Sequence, residues 1–219
     1  MRIQVFSKLV ILLTILSQLS ACAVVAVGAA SAGAVGGIAV MADRRTPGVQ
    51  AIDKGIELEA GNALIKKFGD SAHITVTSFN QKVLLTGEVK NTDIKSQATE
   101  YVKAMKNARA VFNELLIGPN SSFSARANDA YLESKIKTQM IFINNLPSNS
   151  MAIIAEGSSI FLMGMLTKNE AEIAKKIASN ATGVKDVYVF FDIISDAEKV
   201  RLEKQGKAEE AQPTSPPNF

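Results

Sequence analysis

One Cys and one His stand among 219 residues, so any thiol or imidazole chemistry must pass through Cys22 or His73. Cys22 closes the run Leu19-Ser20-Ala21-Cys22. That run reads as a lipobox, where a lipid is transferred to the thiol and the chain is cut before the Cys. A lone Cys forms no internal disulfide, and one His with one Cys falls short of the common structural zinc sets. His73 stands just before a strand-like run with no other His or Cys near it, so the expected role is structural and no metal or cofactor is expected. Ser121, Ser122 and Ser124 crowd a linker that offers no base. Glu57 and Glu59, two apart on a helix, diverge too far to share a proton. Gly36-Gly37 opens no phosphate loop, and the pairs Lys66-Lys67 and Lys175-Lys176 are too isolated to bind nucleic acid. With no nucleophile–base–acid set, the chain is not expected to be an enzyme.

The segment that delivers Cys22 has the layout of an export signal: Arg2 and Lys8, then an apolar run from Leu9 to Leu16, then small residues. Residues 1–21 are therefore expected to be removed, leaving 198 residues with a formal charge of +1 instead of +3. Acyl chains on Cys22 would anchor the protein, since two or more hold firmly where one does not. Position 23 is Ala; an Asp there retains enteric lipoproteins in the inner membrane, so the outer membrane is the expected address. Residues 22–46 are expected to form a lipidated Ala/Gly-rich tether, because Gly28, Gly33, Gly36 and Gly37 weaken a helix; a membrane-inserted helix is the alternative.

Beyond the tether the chain repeats itself. Val83 to Val89 matches Ile160 to Leu166 at an offset of 77 residues, with Gly87 on Gly164. Each of these strands follows another, Ile74–Thr77 and Met151–Ala155, across the hairpin turns Phe79-Asn-Gln-Lys82 and Glu156-Gly-Ser-Ser159. Helices follow at Asn91–Ala108 and Thr167–Ala181, the first capped by Asn91 or Thr92, the second opening on a Thr167–Glu170 capping box. Closing strands run over Ala110–Ile117 and Asp186–Ile194, and opening helices over Lys54–Phe68 and Asn128–Phe142. The order is α-β-β-α-β twice. The fold class is α+β, each unit setting helices on one face of a small three-stranded mixed sheet. The expected boundaries are 47–118 for the first unit, 119–127 for a linker, 128–195 for the second, and 196–219 for a charged, Pro-rich tail, a short helix running into disorder.

Signal, lipobox and repeat together resemble the dual-BON-domain lipoproteins of the proteobacterial outer membrane. The likeness is carried by Asp43-Arg-Arg-Thr-Pro-Gly-Val-Gln50 with Asp53, by Lys82–Gly87 and by Val111-Phe-Asn-Glu114. It is carried most specifically by Asn128-Asp129, Phe161–Gly164, Leu166-Thr167, Glu170-Ala171, Ile177–Ser179 and Gly183–Lys185. The resemblance implies binding of anionic phospholipid through the second BON domain and support of outer-membrane integrity.

The residues themselves suggest where lipid would touch. On a helix spanning Asn128–Ile143, Leu132, Ile136, Met140 and Ile143 form one stripe, which should be core. Tyr131, Lys135, Thr138 and Phe142 form another, and the apolar run Met140-Ile141-Phe142-Ile143 cannot all face inward. Rings that enter the headgroup zone beside a Lys that meets phosphate suit a bilayer interface. The resemblance adds Met140 and Ile141 as apolar contacts and places a Trp where this chain has Tyr131. The alternative for the stripe is packing on the first unit or on the loop 144–150. For the protein, the alternative is an adaptor whose first unit engages an envelope protein. Residues 43–118 carry 11 basic and 9 acidic side chains against 7 and 7 in 119–195, a balance compatible with either.

Overall fold

The computed structural model describes residues 43–144 and 146–210. The signal segment, Cys22, the tether to residue 42 and the last nine residues lie outside them.

Helix α1 spans Pro47–Phe68. It begins seven residues before the expected Lys54 because Thr46-Pro47 is a complete start signal. The Thr46 hydroxyl accepts the Val49 N–H at 3.3 Å, and proline at the first helical position gives up an N–H that would have no partner there. A single 3₁₀ turn leads into β1 (Ala72–Phe79), which pairs antiparallel with β2 (Lys82–Val89). Their two-residue turn has Asn80 and Gln81 at φ 52° and 64°, the left-handed pair whose twist suits a hairpin. Helix α2 covers Thr92–Lys103, capped by Asn91, whose side chain accepts the Ile94 N–H at 3.0 Å. It stops short of the expected Ala108: Ala104, Met105 and Ala108 bond three residues back, tightening the chain into turns that aim it at β3 (Ala110–Asn113). β3 runs parallel to β2, completing a mixed sheet. The strand expected over 110–117 is broken. The Asn113 side chain accepts the Leu115 N–H at 3.0 Å, and pairing resumes in the short β4 (Leu116–Ile117).

The second unit repeats this plan. Helix α3 (Phe123–Ile141) starts five residues before the expected Asn128, because Ser122 is a competent cap that accepts the Ala125 N–H at 3.2 Å. The expected linker 119–127 thus keeps only its first residues outside the helix. β5 (Met151–Glu156) and β6 (Ser159–Leu166) form the hairpin, turning through Gly157 and Ser158 at φ 57° and 66°. Helix α4 (Lys168–Asn180) opens on the expected capping box, and β7 (Val187–Ile193) closes the sheet parallel to β6.

Each sheet has helices on one face. Val83, Leu85 and Val89 meet Ile56, Ala60 and Leu64 of α1 and Ala98 and Val102 of α2. Ile153, Ile160, Leu162 and Leu166 meet Leu132, Ile136 and Met140 of α3 and Ala171, Ala174 and Ala178 of α4. The other faces are not left to solvent. Phe79 and Leu84 of the first sheet and Ile154, Phe161 and Met163 of the second share a third buried cluster, and the Phe112 and Phe190 rings lie 4.5 Å apart. The sheets therefore stand back to back with helices outside. Each of those five side chains contributes roughly 1.5–3 kcal/mol through removal from water. At the rim Asp192 holds the join, accepting from Asn80 at 2.9 Å and pairing with Lys82 at 2.8 Å and Arg109 at 3.3 Å. Those three bonds overcome the upward push of burial and hold its carboxyl below the usual range.

Both ends of the described chain are fastened to the body. The segment from 196 forms a helix, α5 (Asp196–Glu210), with Lys199 and Glu203 fastened to the body. Residues 43–46, assigned to the tether, are built structure: the buried Arg44 reaches across to α4 and α5.

Candidate functional site

Helix α3 divides its faces cleanly. Leu132, Ile136 and Met140 are fully buried against the second sheet. Met140, expected as a lipid contact by resemblance, is therefore core, as the stripe reading has it; at 100° per residue it lies on the side of the helix opposite Thr138. Ile143, expected in that core stripe, is instead 39% exposed, because the helix ends at Ile141 and the chain turns away.

The outer face brings the remaining candidates together. Tyr131 is 62% exposed and Phe142 is 66% exposed, three turns apart along one side. Lys135 lies between them, half-buried, its ammonium 5.9 Å over the Tyr131 ring and donating to the Thr182 carbonyl at 3.1 Å. Thr138 is exposed, its hydroxyl bonded to the Ser134 carbonyl at 2.8 Å, and Ile141 is half-buried at the helix end. Neither the first unit nor the loop 146–150 covers the Tyr131 and Phe142 rings. What the arrangement offers is two large rings flanking a tethered cation, a surface that can enter an interfacial layer while the Lys meets an anion.

In each unit the opening helix grips the hairpin turn through one carboxylate. Asp53 of α1 accepts the Asn80 and Gln81 N–H groups at 2.8 and 2.7 Å and the Ser78 hydroxyl at 2.8 Å, gripping the β1–β2 turn. Asp129 of α3 accepts the Gly157 and Ser158 N–H groups at 3.0 and 2.8 Å, gripping the β5–β6 turn. Arg45 joins the first grip, donating to Asp53 at 2.9 Å with its guanidinium 3.9 Å over the Phe79 ring. Spacing alone did not reveal this role, since each acid lies 25 or more residues from its turn.

A second assembly centres on Arg44. Its guanidinium donates twice to Glu170, at 2.7 and 2.9 Å, once to Glu203 at 2.8 Å and once to the Met165 carbonyl at 2.9 Å. Lys199 reaches the same Glu170 at 2.8 Å. Burial alone would push the Glu170 carboxyl up, but Arg44, Lys199 and the Thr167 N–H hold it down to about 2. Sequence reasoning assigned Glu170 only its capping box; Arg44 lies 126 residues away.

Cys22 lies outside the described residues, and no described helix is long and apolar enough to cross a membrane.

The family model of the BON domain matches residues 52–119 and 128–194. The outer membrane lipoprotein DolP of Haemophilus influenzae is 33% identical over 154 residues, covering 69% of this chain and 80% of the relative. A 21 kDa hemolysin of Actinobacillus pleuropneumoniae is 25% identical over 147 residues, covering 66% of this chain and 76% of the relative. Among solved structures, CdsD, a structural protein of the type III secretion system of Chlamydia trachomatis, shares 13% identity at a TM-score of 0.25, covering 71% of this chain and 98% of that one.

Proposed function

The chain belongs to the BON-domain family, and from that premise we propose that it is a non-catalytic, lipid-anchored protein of the outer membrane that docks on anionic phospholipid through the outer face of α3 in its second BON domain. Tyr131, Lys135, Thr138, Ile141 and Phe142 form the contact, and support of outer-membrane integrity follows from holding the two domains at the periplasmic leaflet. The observation that carries this reading is the pair of uncovered rings, Tyr131 and Phe142, on either side of Lys135. The relative's name, outer membrane lipoprotein, supports the address.

The test is co-sedimentation of a soluble form, residues 43–210, with vesicles containing or lacking anionic lipid. Alanine at both Tyr131 and Phe142 should weaken binding about tenfold or more, since each ring brings roughly 1.5 kcal/mol or more on burial. Far-ultraviolet circular dichroism should remain unchanged, because neither ring is part of a core. Lys135→Gln should weaken binding about fivefold and flatten its salt dependence, one cation near an anionic surface being worth about 1 kcal/mol. Undiminished binding by the folded double variant would overturn the proposal.

The anchor is proposed at Cys22, exposed as the first residue after removal of 1–21. Cys22→Ser should move the full chain from the membrane pellet to the soluble fraction on cell fractionation.

A second reading, the envelope adaptor, rests on Leu58 and Ile65, exposed seven residues apart on the outer side of α1, and on exposed Leu116 and Ile117. Failure of the unsubstituted protein to bind any vesicle would favour it.

A further inference from the structure

Where the sheets meet, away from the Asp192 rim, three side chains from both units converge. His73 of β1 and Glu88 of β2 are direct cross-strand partners, and the His73 Nδ1 lies 3.3 Å from the Glu88 Oε2. Glu156, the last residue of β5, comes from the second unit. One ligand atom from each of the three lies within 4.8 Å of the others.

The electrostatics of this group are unfinished. Both carboxyls belong to residues only 7% exposed. Glu88 accepts the Ser121 N–H at 3.1 Å, but among the described residues Glu156 accepts no hydrogen bond and pairs with no cation. The His73 Nδ1 is buried and has no hydrogen-bond partner, its approach to Glu88 lacking the required alignment. A carboxyl so placed gives up much of its hydration without a hydrogen bond from the protein in return. The His73 Nδ1 and the Glu156 carboxyl, neither with a hydrogen-bond partner, and Glu88, with a single backbone donor, converge on one point and describe a ligand set.

We propose that His73, Glu88 and Glu156 bind a divalent cation of the zinc class, which ties the two BON domains together. One imidazole nitrogen with two carboxylate oxygens suits tetrahedral zinc, the fourth position going to water. Magnesium and calcium prefer all-oxygen shells with six or more ligands. Zinc bonds of about 2.0–2.2 Å set the ligand atoms roughly 3.4 Å apart, so the present spacing closes by small side-chain rotations.

The protonation chemistry agrees. Burial, then Glu88 and Asp129, push Glu156 up to about 7, with Arg126 of α3 opposing them only through space. His73 on β1, Glu88 on β2, and Asp129 and Arg126 on α3 are the charged or titratable groups around it.

The experiment uses the full chain in detergent, stripped with chelator and titrated with zinc chloride at pH 7.5. Calorimetry should give one zinc per chain, and thermal unfolding should shift upward as zinc saturates. Glu156→Gln removes the uncompensated charge, so the variant should be as stable as the metal-free protein or more so at pH 8. Its zinc affinity should fall roughly tenfold or more, and His73→Gln should do the same. Binding of equal strength in both folded variants, no saturable one-to-one binding, or an equal response to magnesium would overturn the assignment.

Discussion

Arg44→Ala should lower the free energy of unfolding by about 3–5 kcal/mol, read as a lower urea midpoint at unchanged slope. The size follows from what is left behind. The Arg44 side chain is 1% exposed and that of Glu170 is 4% exposed, so neither regains water when its partner is lost. Glu170 would keep only Lys199 and the Thr167 N–H against the desolvation of its carboxylate. Lysine at 44 should recover little, because an ammonium cannot span both Glu170 oxygens and Glu203 as the guanidinium fork does. Arg44→Met combined with Glu170→Gln should recover much of the loss, since both charges go while an amide can still accept the Thr167 N–H. The pH dependence has a definite sign. The folded carboxyl, held at about 2, lies below its ordinary 4.5, so its stabilisation is complete above about 4.5 and disappears as pH falls through about 2. Arg44→Ala should therefore lose most of its cost in strong acid. A deficit that stayed constant from pH 7 to pH 2 would contradict the assignment.

The second large effect is expected at Gly87. Its backbone sits at φ +111°, and a Cβ there would stand 2.0 Å from the His73 carbonyl oxygen. That neighbour is backbone in a paired strand and cannot rotate aside. Left-handed strain of about 1–3 kcal/mol and a comparable overpacking cost put Gly87→Ala at roughly 2–6 kcal/mol. Gly164, its repeat partner, has no such dihedral, and its Cβ would meet the Ser150 carbonyl oxygen at 2.8 Å and a Met151 side-chain atom at 2.9 Å. Gly164→Ala should accordingly cost less. Denaturant melts of the two variants side by side test the ranking, and equal midpoints would show that the two glycines are not doing different work.

The features that could be read in advance are those whose causes lie within a few residues. The Asn91 cap, the Thr167–Glu170 box and both hairpin turns follow from side chains next to the backbone they serve. The two early helix starts, at Thr46-Pro47 and Ser122, have equally local causes, but the hydrophobic spacing begins later than either. The Tyr131 and Phe142 stripe was visible because helical periodicity separates it from Leu132 and Ile136. Met140 could be placed from that same periodicity but not from resemblance. The back-to-back sheets were partly visible: Val83–Val89 is apolar on both faces except at Thr86 and Glu88, as a strand covered on both sides must be. What could not be read are the long-range pairings. Arg44 with Glu170 and Glu203, and His73 and Glu88 with Glu156, join residues whose separations no local rule restricts. The attachment of the tail helix could not be read for the same reason, its Lys199 and Glu203 having partners only once the chain has folded.

The Arg44 clasp also determines how force passes through the molecule. The chain enters the described structure at Asp43, yet its first firm attachment is to α4 and α5 of the second domain, before α1 of the first domain begins. A pull on the segment before Asp43 therefore loads the second domain directly, through one guanidinium gripping two helices. The first domain, nearer in sequence, shares that load through Arg45, which pairs with Asp43 and with Asp53 of α1. Such a fastening makes the domain that carries α3, with its Tyr131 and Phe142 rings, a direct bearer of any load on the chain before Asp43.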